Sequence, residues 1–470
     1  MGGRAVRRYR LIGGCMRVEF SHGYSVLLAV VCLAGVLEAQ AGSPAGAVPP
    51  ETLQARRAKV MEAMGTGVAV LGSAAVRSIE PHGPHPQDSD FRQDNDFFYL
   101  TGLETPDSWL VLIAGEDGSR EARLFLPERD TARERWTGPK LGPGPEAAGL
   151  TGIDTVLPAN GAEWGINRLV FGSRSPAWTG GVFVRRGPGR PEAESELVRE
   201  LVFRRTGRPL TVHDLGHLIA QQRLIKDDDE LRRLRRAIDI TAEAQREAMA
   251  AVQPGMWEYQ IEAIIEYVFR RNGAERVGFP SIVGAGVNST TLHYDESRGP
   301  LDAGDLIIMD IGAEFGYYTA DITRTAPVSG RFSERQRELY QLVLATQQAA
   351  IDSVYPGTTM GRLNQIARSY LQEHSGDLCE PGDCTQYFVH GLSHWLGMDV
   401  HDVGDYRTPL APGMVLTIEP GLYLPAERIG IRIEDDILVT ENGSEVLSRM
   451  APRDVDAIEA LMSSSSTSRN

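Results

Sequence analysis

The stretch "DLIIMDIGAEFGYYTADITRTAPV", Asp305–Val328, decides how the rest of the chain is read. Two apolar, β-rich runs flank a glycine-containing centre, the pattern of a β-hairpin. With Phe315-Gly316 as a two-residue turn, Glu314 pairs with Tyr317, and Asp310 then faces Asp321 across the ladder. Facing residues in an antiparallel pair have Cβ atoms about 4.5–5.5 Å apart, and like charges there destabilise the pair. Two acids so placed in apolar strands require a bound cation or a shared proton. A one-residue slip would send them to opposite faces.

More acids follow in strand-like apolar runs: Glu419 in "MVLTIEPGLYL" and Glu434 in "GIRIEDDILV", where Arg432 shares the face of Glu434. One such acid is ordinary if exposed or ion-paired, but four beside a histidine cluster are not. That cluster is "HGLSHWLGMDVHDVG", His390–Gly404, which gathers His390, His394 and His401. Four carboxylates and one imidazole are too many for one catalytic zinc and too acidic for a structural one. They suit two divalent ions about 3.5–4 Å apart that share an activated water. Oxygen-rich ligation points first to manganese, with cobalt, zinc or magnesium as alternatives. His390 and His394 lack the glutamate of H-E-x-x-H, and their glycine-rich surroundings disfavour a helix. No G-x-S-x-G elbow is present in this segment, and "MDIGAE" has no second copy to make an aspartic protease.

At 470 residues the chain has room for two or three domains. A net charge of −15 without a basic stripe excludes nucleic acid and anionic membrane as expected partners. The N-terminus differs: "MGGRAVRRYR" is basic, "YSVLLAVVCLAGVL" is apolar, and Ala39-Gln40-Ala41 precedes Gly42. This is the layout of a signal peptide over 1–41, so a periplasmic or secreted protein is expected rather than a cytoplasmic one. The apolar run is short for a membrane span. Cys32 raises a lipoprotein alternative, although Val30 and Val31 stand where small residues are wanted. Cleavage removes five arginines and two glutamates, taking the net charge from −15 to −18. Only Cys379 and Cys384 then remain, and in an oxidising compartment "CEPGDC" can close a small disulfide loop. Two free thiols or part of a metal site are the alternatives.

Residues 42–50 read as a linker, and alternating helical and strand-like segments follow as far as a boundary near 220. "ETLQARRAKVMEAM" is expected as a helix; "GVAVLG", "DFFYLTG" and "SWLVLIAG" are expected as strands. Asp227, Asp228, Asp229 and Glu230 then open a long amphipathic helix, where negative charge suits the helix dipole. Residues 221–462 mix helices with strands, an α+β pattern with a largely antiparallel sheet. The polar tail 463–470 is expected to be disordered.

"HYDESRGPLDAGDLIIMDIGAEFGYYTADITRTAPVSGRFSERQRELY", "VHGLSHWLGMDVHDVG", "GMVLTIEPGLYL" and "GIRIEDDI" resemble the Xaa-Pro aminopeptidases (aminopeptidase P). These belong to the pita-bread metallopeptidases, with methionine aminopeptidase and prolidase. The resemblance spans about Glu51 to Met462; "FRQDNDFFYLTGLETPDSWLVL" resembles the family's N-terminal domain and "RLIKDDDELRRLRRA" its interdomain link. It implies a pita-bread catalytic domain over 221–462, preceded by a smaller α/β domain over 42–220. Residue by residue, it implies that Asp310 binds one metal, His394 and Glu419 bind the other, and Asp321 and Glu434 bridge. His293, His390 and His401 match the family's substrate-positioning histidines, and Arg432 its supporting arginine. Glu419 is the candidate to take and return the proton. The activity implied is release of the residue before an N-terminal penultimate proline. An Xaa-Pro dipeptidase shares the same ligands, and a third reading is a relative that binds without peptidase activity. Family members are dimers or tetramers; Trp136 matches an aromatic used across their subunit contact, and Asp88 or Asp90 an acidic partner. His82 and His85 are expected at the surface.

Overall fold

The computed structural model describes residues 11–12, 15–16, 45–76, 91–186, 194 and 210–467. The expected signal peptide lies outside them except for the two-residue strands Leu11–Ile12 and Cys15–Met16. The loop carrying His82, His85, Asp88 and Asp90 also lies outside. Residues of the expected linker are packed rather than free: Ala45 and Val48 are buried, and Gly46 O accepts from Arg233.

The first unit opens on α1 (Pro50–Met64), with proline at the position where its missing N–H costs nothing. A six-stranded sheet follows, built from β1 (Gly67–Gly72), β2 (Trp109–Ala114), β3 (Arg120–Leu126), β4 (Thr155–Pro158), β5 (Val182–Val184) and β6 (Val212–Asp214). Its order is β4-β3-β2-β1-β5-β6, antiparallel at the centre and parallel at both flanks. "DFFYLTG" is not a strand: it forms α2 (Asn95–Thr101). Asp94 caps it by accepting from Phe97 N at 2.9 Å, and Gly102 closes it in the left-handed region at φ 67°. These caps decide between helix and strand for a short apolar run whose period is ambiguous. Helix α3 (Leu215–Arg223) ends the unit.

The second unit begins with α4 (Asp228–Ala251), where Asp227 and Glu230 form a reciprocal capping box. Helix α5 (Glu258–Arg271) follows, then β7 (Ile282–Ala285), β8 (Leu306–Ile311), β9 (Ala313–Phe315), β10 (Tyr318–Thr319) and β11 (Ile322–Pro327). The pattern then recurs: α6 (Glu334–Ile351), α7 (Met360–His374), β12 (Val415–Ile418), β13 (Gly421–Leu424), β14 (Ile429–Arg432) and β15 (Asp435–Thr440). All strand pairs here are antiparallel. One buried glutamine from each half ties its helix to the strands. Gln245 donates to Met309 O and Ile322 O, and Gln347 donates to Ile418 O and Ile433 O. Each acid of interest is thus one residue from a carbonyl held by a fully buried side chain.

The hairpin register differs from expectation. Glu314 pairs with Thr319 and Asp310 with Thr323, so the turn is Gly316-Tyr317 and the ladder is shifted by two residues. Both turn residues have positive φ, 58° and 73°, as a type I′ turn demands. Asp321 therefore lies diagonally from Asp310 rather than opposite it. A shift of two keeps the side-chain parity, so both acids still point to one face.

The final helix, α8 (Val455–Thr467), extends through residues 463–467, where a disordered tail was expected. Its serines bond back to the preceding turn, Ser463 Oγ to Glu459 O and Ser464 Oγ to Leu461 O. Cys379 and Cys384, both buried, are joined by a disulfide. Among the described residues no helix is long and apolar enough to cross a membrane.

Candidate metal centre

The four acids and His394 come together where β8 and β11 meet the β14–β15 junction. Asp310 is the penultimate residue of β8, and Asp321 sits just before β11. Glu419 joins β12 to β13, and Glu434 joins β14 to β15. Glu434 N donates to Thr323 O at 3.1 Å, which locks the two strand systems together. His394 lies on the loop that crosses behind them; its N–H donates to Thr417 Oγ1 at 3.2 Å.

His394 Nδ1 faces Trp395 O at 3.0 Å and, as the donor there, leaves Nε2 free to accept or to ligate. That Nε2 lies 3.3 Å from Asp321 Oδ2, 3.7 Å from Glu419 Oε1 and 3.9 Å from Glu434 Oε1. Asp321, His394 and Glu434 each offer a ligand atom, all within 4.8 Å of one another. Asp310 Oδ1, Asp321 Oδ1 and Glu434 Oε1 are buried without a hydrogen-bond partner. Burial, then the neighbouring acids Asp310 and Asp436, pushes Asp321 far above the usual carboxylate range. Burial, then Asp321 and Glu419, does the same to Glu434. Glu419 is pushed up to about 7, chiefly by burial. Crowded, buried, unpartnered carboxylate oxygens around a free imidazole nitrogen fit hard divalent cations.

Around these groups runs a hydrogen-bonded support. Arg432 Nη2 donates to Asp310 Oδ2 at 2.6 Å, Nε to Thr323 Oγ1 at 3.1 Å and Nη1 to the Tyr423 hydroxyl at 2.8 Å. Thr323 Oγ1 in turn donates to Glu434 Oε2 at 2.6 Å. His390 Nε2 is 2.8 Å from the Tyr423 hydroxyl, and its Nδ1 is 3.7 Å from Glu419 Oε2. Burial, then Arg432, lowers His390 to about 4, so its ring is neutral near pH 7. His401 packs edge-on to His394 with ring centroids 4.3 Å apart. Loss of surrounding water, then His394 and His293, lowers the protonation of His401 as well. His293 is exposed at the rim, close enough for that effect.

The structure therefore gathers Asp310, Asp321, His394, Glu419, Glu434, Arg432, His390, His401 and His293 in one place. Trp136, in a short helical turn of the first unit, is 72% exposed. Sequence reading missed Thr323 and Tyr423. The signal for Thr323 is its spacing, two residues after Asp321 and hence on the same face. Tyr423 stands opposite Gly430, one step along the face from Arg432.

Fold and site together define a class: a metallopeptidase whose carboxylate-rich centre lies between two similar halves of a pita-bread domain. Residues 232–441 match the metallopeptidase family M24, and residues 53–175 match the aminopeptidase P N-terminal domain. The Xaa-Pro aminopeptidase of Escherichia coli is 36% identical over 437 residues, covering 88% of this chain and 97% of its own. Xaa-Pro aminopeptidase 3 of Homo sapiens is 33% identical over 399 residues, 80% of this chain and 78% of its own. Pseudomonas aeruginosa aminopeptidase PepP superposes with a TM-score of 0.80 at 34% identity, covering 90% of this chain and 99% of that one. Zinc-substituted E. coli aminopeptidase P in complex with product gives 0.79 at 34% identity, covering 89% and 99%. The chain belongs to the Xaa-Pro aminopeptidase (aminopeptidase P) family, and its fold is the α+β pita-bread domain preceded by a smaller α/β domain. As a member of a metallopeptidase family it works with divalent metal ions.

Proposed function

We propose that this chain hydrolyses Xaa-Pro-Xaa peptides, releasing the residue before proline, with two manganese ions held by Asp310, Asp321, His394, Glu419 and Glu434. The observation that carries the site assignment is the set of buried, unpartnered carboxylate oxygens around His394 Nε2. When bound, the metal pair supplies an acidified water and polarises the scissile carbonyl. Glu419, facing both His394 Nε2 at 3.7 Å and the open side of the site, accepts the proton of the attacking water. It then delivers that proton to the proline nitrogen as the peptide bond breaks. His401 and His293, at the open rim, donate hydrogen bonds to the substrate carbonyl as it gains charge. Arg432 holds Asp310 directly and Glu434 through Thr323, so both carboxylates keep their orientation.

Export is part of the same reading: the N-terminal layout and the Cys379–Cys384 disulfide both suit an oxidising compartment. So is a homodimer or homotetramer in which the exposed Trp136 contacts a neighbour. The test is an assay of the full-length protein on Xaa-Pro, Xaa-Pro-Xaa and Xaa-Ala-Xaa peptides after chelation and after Mn²⁺ addition. Metal-dependent cleavage of Xaa-Pro-Xaa is expected. Cleavage of the dipeptide alone would make the chain a prolidase, and no metal-dependent turnover would make it a binding protein.

A further inference from the structure

The loop that carries His394 and His401 is seated on the first unit by a buried charge cluster. Arg223, the last residue of α3, is 2% exposed. It donates to Asp96 Oδ1 at 2.8 Å, Asp399 Oδ2 at 2.9 Å and Asp402 Oδ1 at 2.5 Å. Lys226 Nζ reaches the other oxygen of Asp402 at 3.1 Å. Both oxygens of this buried carboxylate are thus gripped by cations from outside the second unit's strands.

Asp402 sits at a mechanical junction. Its N–H donates to Trp395 O at 2.9 Å, the same carbonyl that faces His394 Nδ1 at 3.0 Å. It also directly follows His401, whose ring leans on His394. The glycines of the loop make the seating tight. A Cβ at Gly397 would fall 2.0 Å from Asp402 Oδ2; one at Gly404 would fall 2.5 Å from Leu224 Cδ2. Buried ion clusters are poor stabilisers compared with apolar packing, so stability alone is a weak reason to keep this one. Directional bonds that fix a backbone carbonyl are a stronger reason.

We propose that Arg223 and Lys226 are positioning residues for the peptidase reaction: by gripping Asp402 they hold Trp395 O on His394 and keep His401 beside it. The proposal rests on the aminopeptidase reading. The test uses full-length Asp402→Asn, Arg223→Met and Arg223→Lys variants and the Asp402→Asn/Arg223→Met double variant, each chelated and reloaded with Co²⁺. A displacement of about 1 Å at a reacting group can cost about 100-fold, so kcat on Xaa-Pro-Xaa should fall about 10–100-fold. KM should stay within about threefold, because the substrate contacts themselves remain. The visible absorption of the cobalt enzyme, which reports ligand geometry, should change at full metal occupancy. The double variant should lose no more than the worse single variant, since both break one linkage. Arg223→Lys, which keeps the charge but cannot span three carboxylates, should show a smaller loss.

Folded Asp402→Asn with wild-type kcat and cobalt spectrum would overturn the proposal, as would losses that multiply in the double variant. If Arg223→Met does not fold, Arg223→Lys decides: an unchanged kcat and spectrum would overturn it. Wild-type protein inactive on Xaa-Pro-Xaa would sink the aminopeptidase reading instead. The cobalt spectra of the variants would still decide the positioning role.

Discussion

Thr323 carries no charge, yet its hydroxyl takes a hydrogen bond from Arg432 and gives one to Glu434, linking a guanidinium to a carboxylate of the centre. Replacing it by valine keeps the strand shape and removes both bonds. Outer-shell losses of this kind typically cost about 10–100-fold in metal affinity or activity, which calorimetric titration of Thr323→Val with Mn²⁺ should show. His390 makes a prediction about pH. Its folded value is about 4, lowered by burial and then by Arg432, against about 6.5 in an unfolded chain. Between those values the unfolded chain binds the proton first, so the stability His390 allows above pH 6.5 is lost as pH falls towards 4. The urea midpoint of the metal-free wild type should therefore fall relative to that of His390→Gln as pH drops across that window, on top of the opposite trend from the buried acids Asp321, Glu419 and Glu434, which bind protons more readily when folded. The acids were legible in the sequence because carboxylates inside apolar strands are rare. Thr323 and Tyr423 were not, because threonine and tyrosine are ordinary strand residues and only their partners mark them.

At the level of elements, the hairpin tip shows where local rules yield to packing. A bulky aromatic at positive φ is unfavourable, so local rules alone do not select Gly316-Tyr317 as a type I′ turn. Tyr317 occupies that region at φ 73° because the first unit receives it. Its ring stacks on Phe98 at 3.7 Å, Arg92 lies 4.9 Å over it, and its hydroxyl accepts from Gln93 N at 3.0 Å. None of these contacts is local, so none is visible in the hairpin sequence. Parity was visible, and it is parity that keeps Asp310 and Asp321 on one face. The helix α2 teaches the converse: its caps, Asp94 and Gly102, were in the sequence but were outweighed by an apolar run. The packing account predicts that Tyr317→Phe, which leaves the buried Gln93 N–H unpaired, costs about 1–3 kcal/mol in denaturant unfolding. An unchanged midpoint would show that the hydroxyl plays no part in seating the tip.

In the whole molecule two units meet at one site: the second supplies every candidate metal ligand, and the first seats the strands and loop that carry them. Arg92 illustrates the seating, with its Nε on Glu314 at 2.8 Å and its Nη2 on Met398 O at 3.2 Å. The bipartite organisation was legible from the change of texture near residue 220. The burial of the interface was not, because its charged residues look like surface residues until their partners are known. Export predicts a mature chain beginning at Gly42, to be read from the mass of the protein recovered outside the cytoplasm; an intact N-terminus there would refute the cleavage. The central claim is that five residues bind two divalent ions and that catalysis depends on them. Its most direct test is a calorimetric Mn²⁺ titration of the chelated full-length protein, with Xaa-Pro-Xaa hydrolysis measured at each point, repeated for Asp310→Asn and Glu434→Gln. Two ions per wild-type chain are expected, with activity that rises with occupancy and a loss of at least about 100-fold in either variant, as for groups that act as one unit. Full activity in the chelated protein, or wild-type activity in both variants, would contradict it.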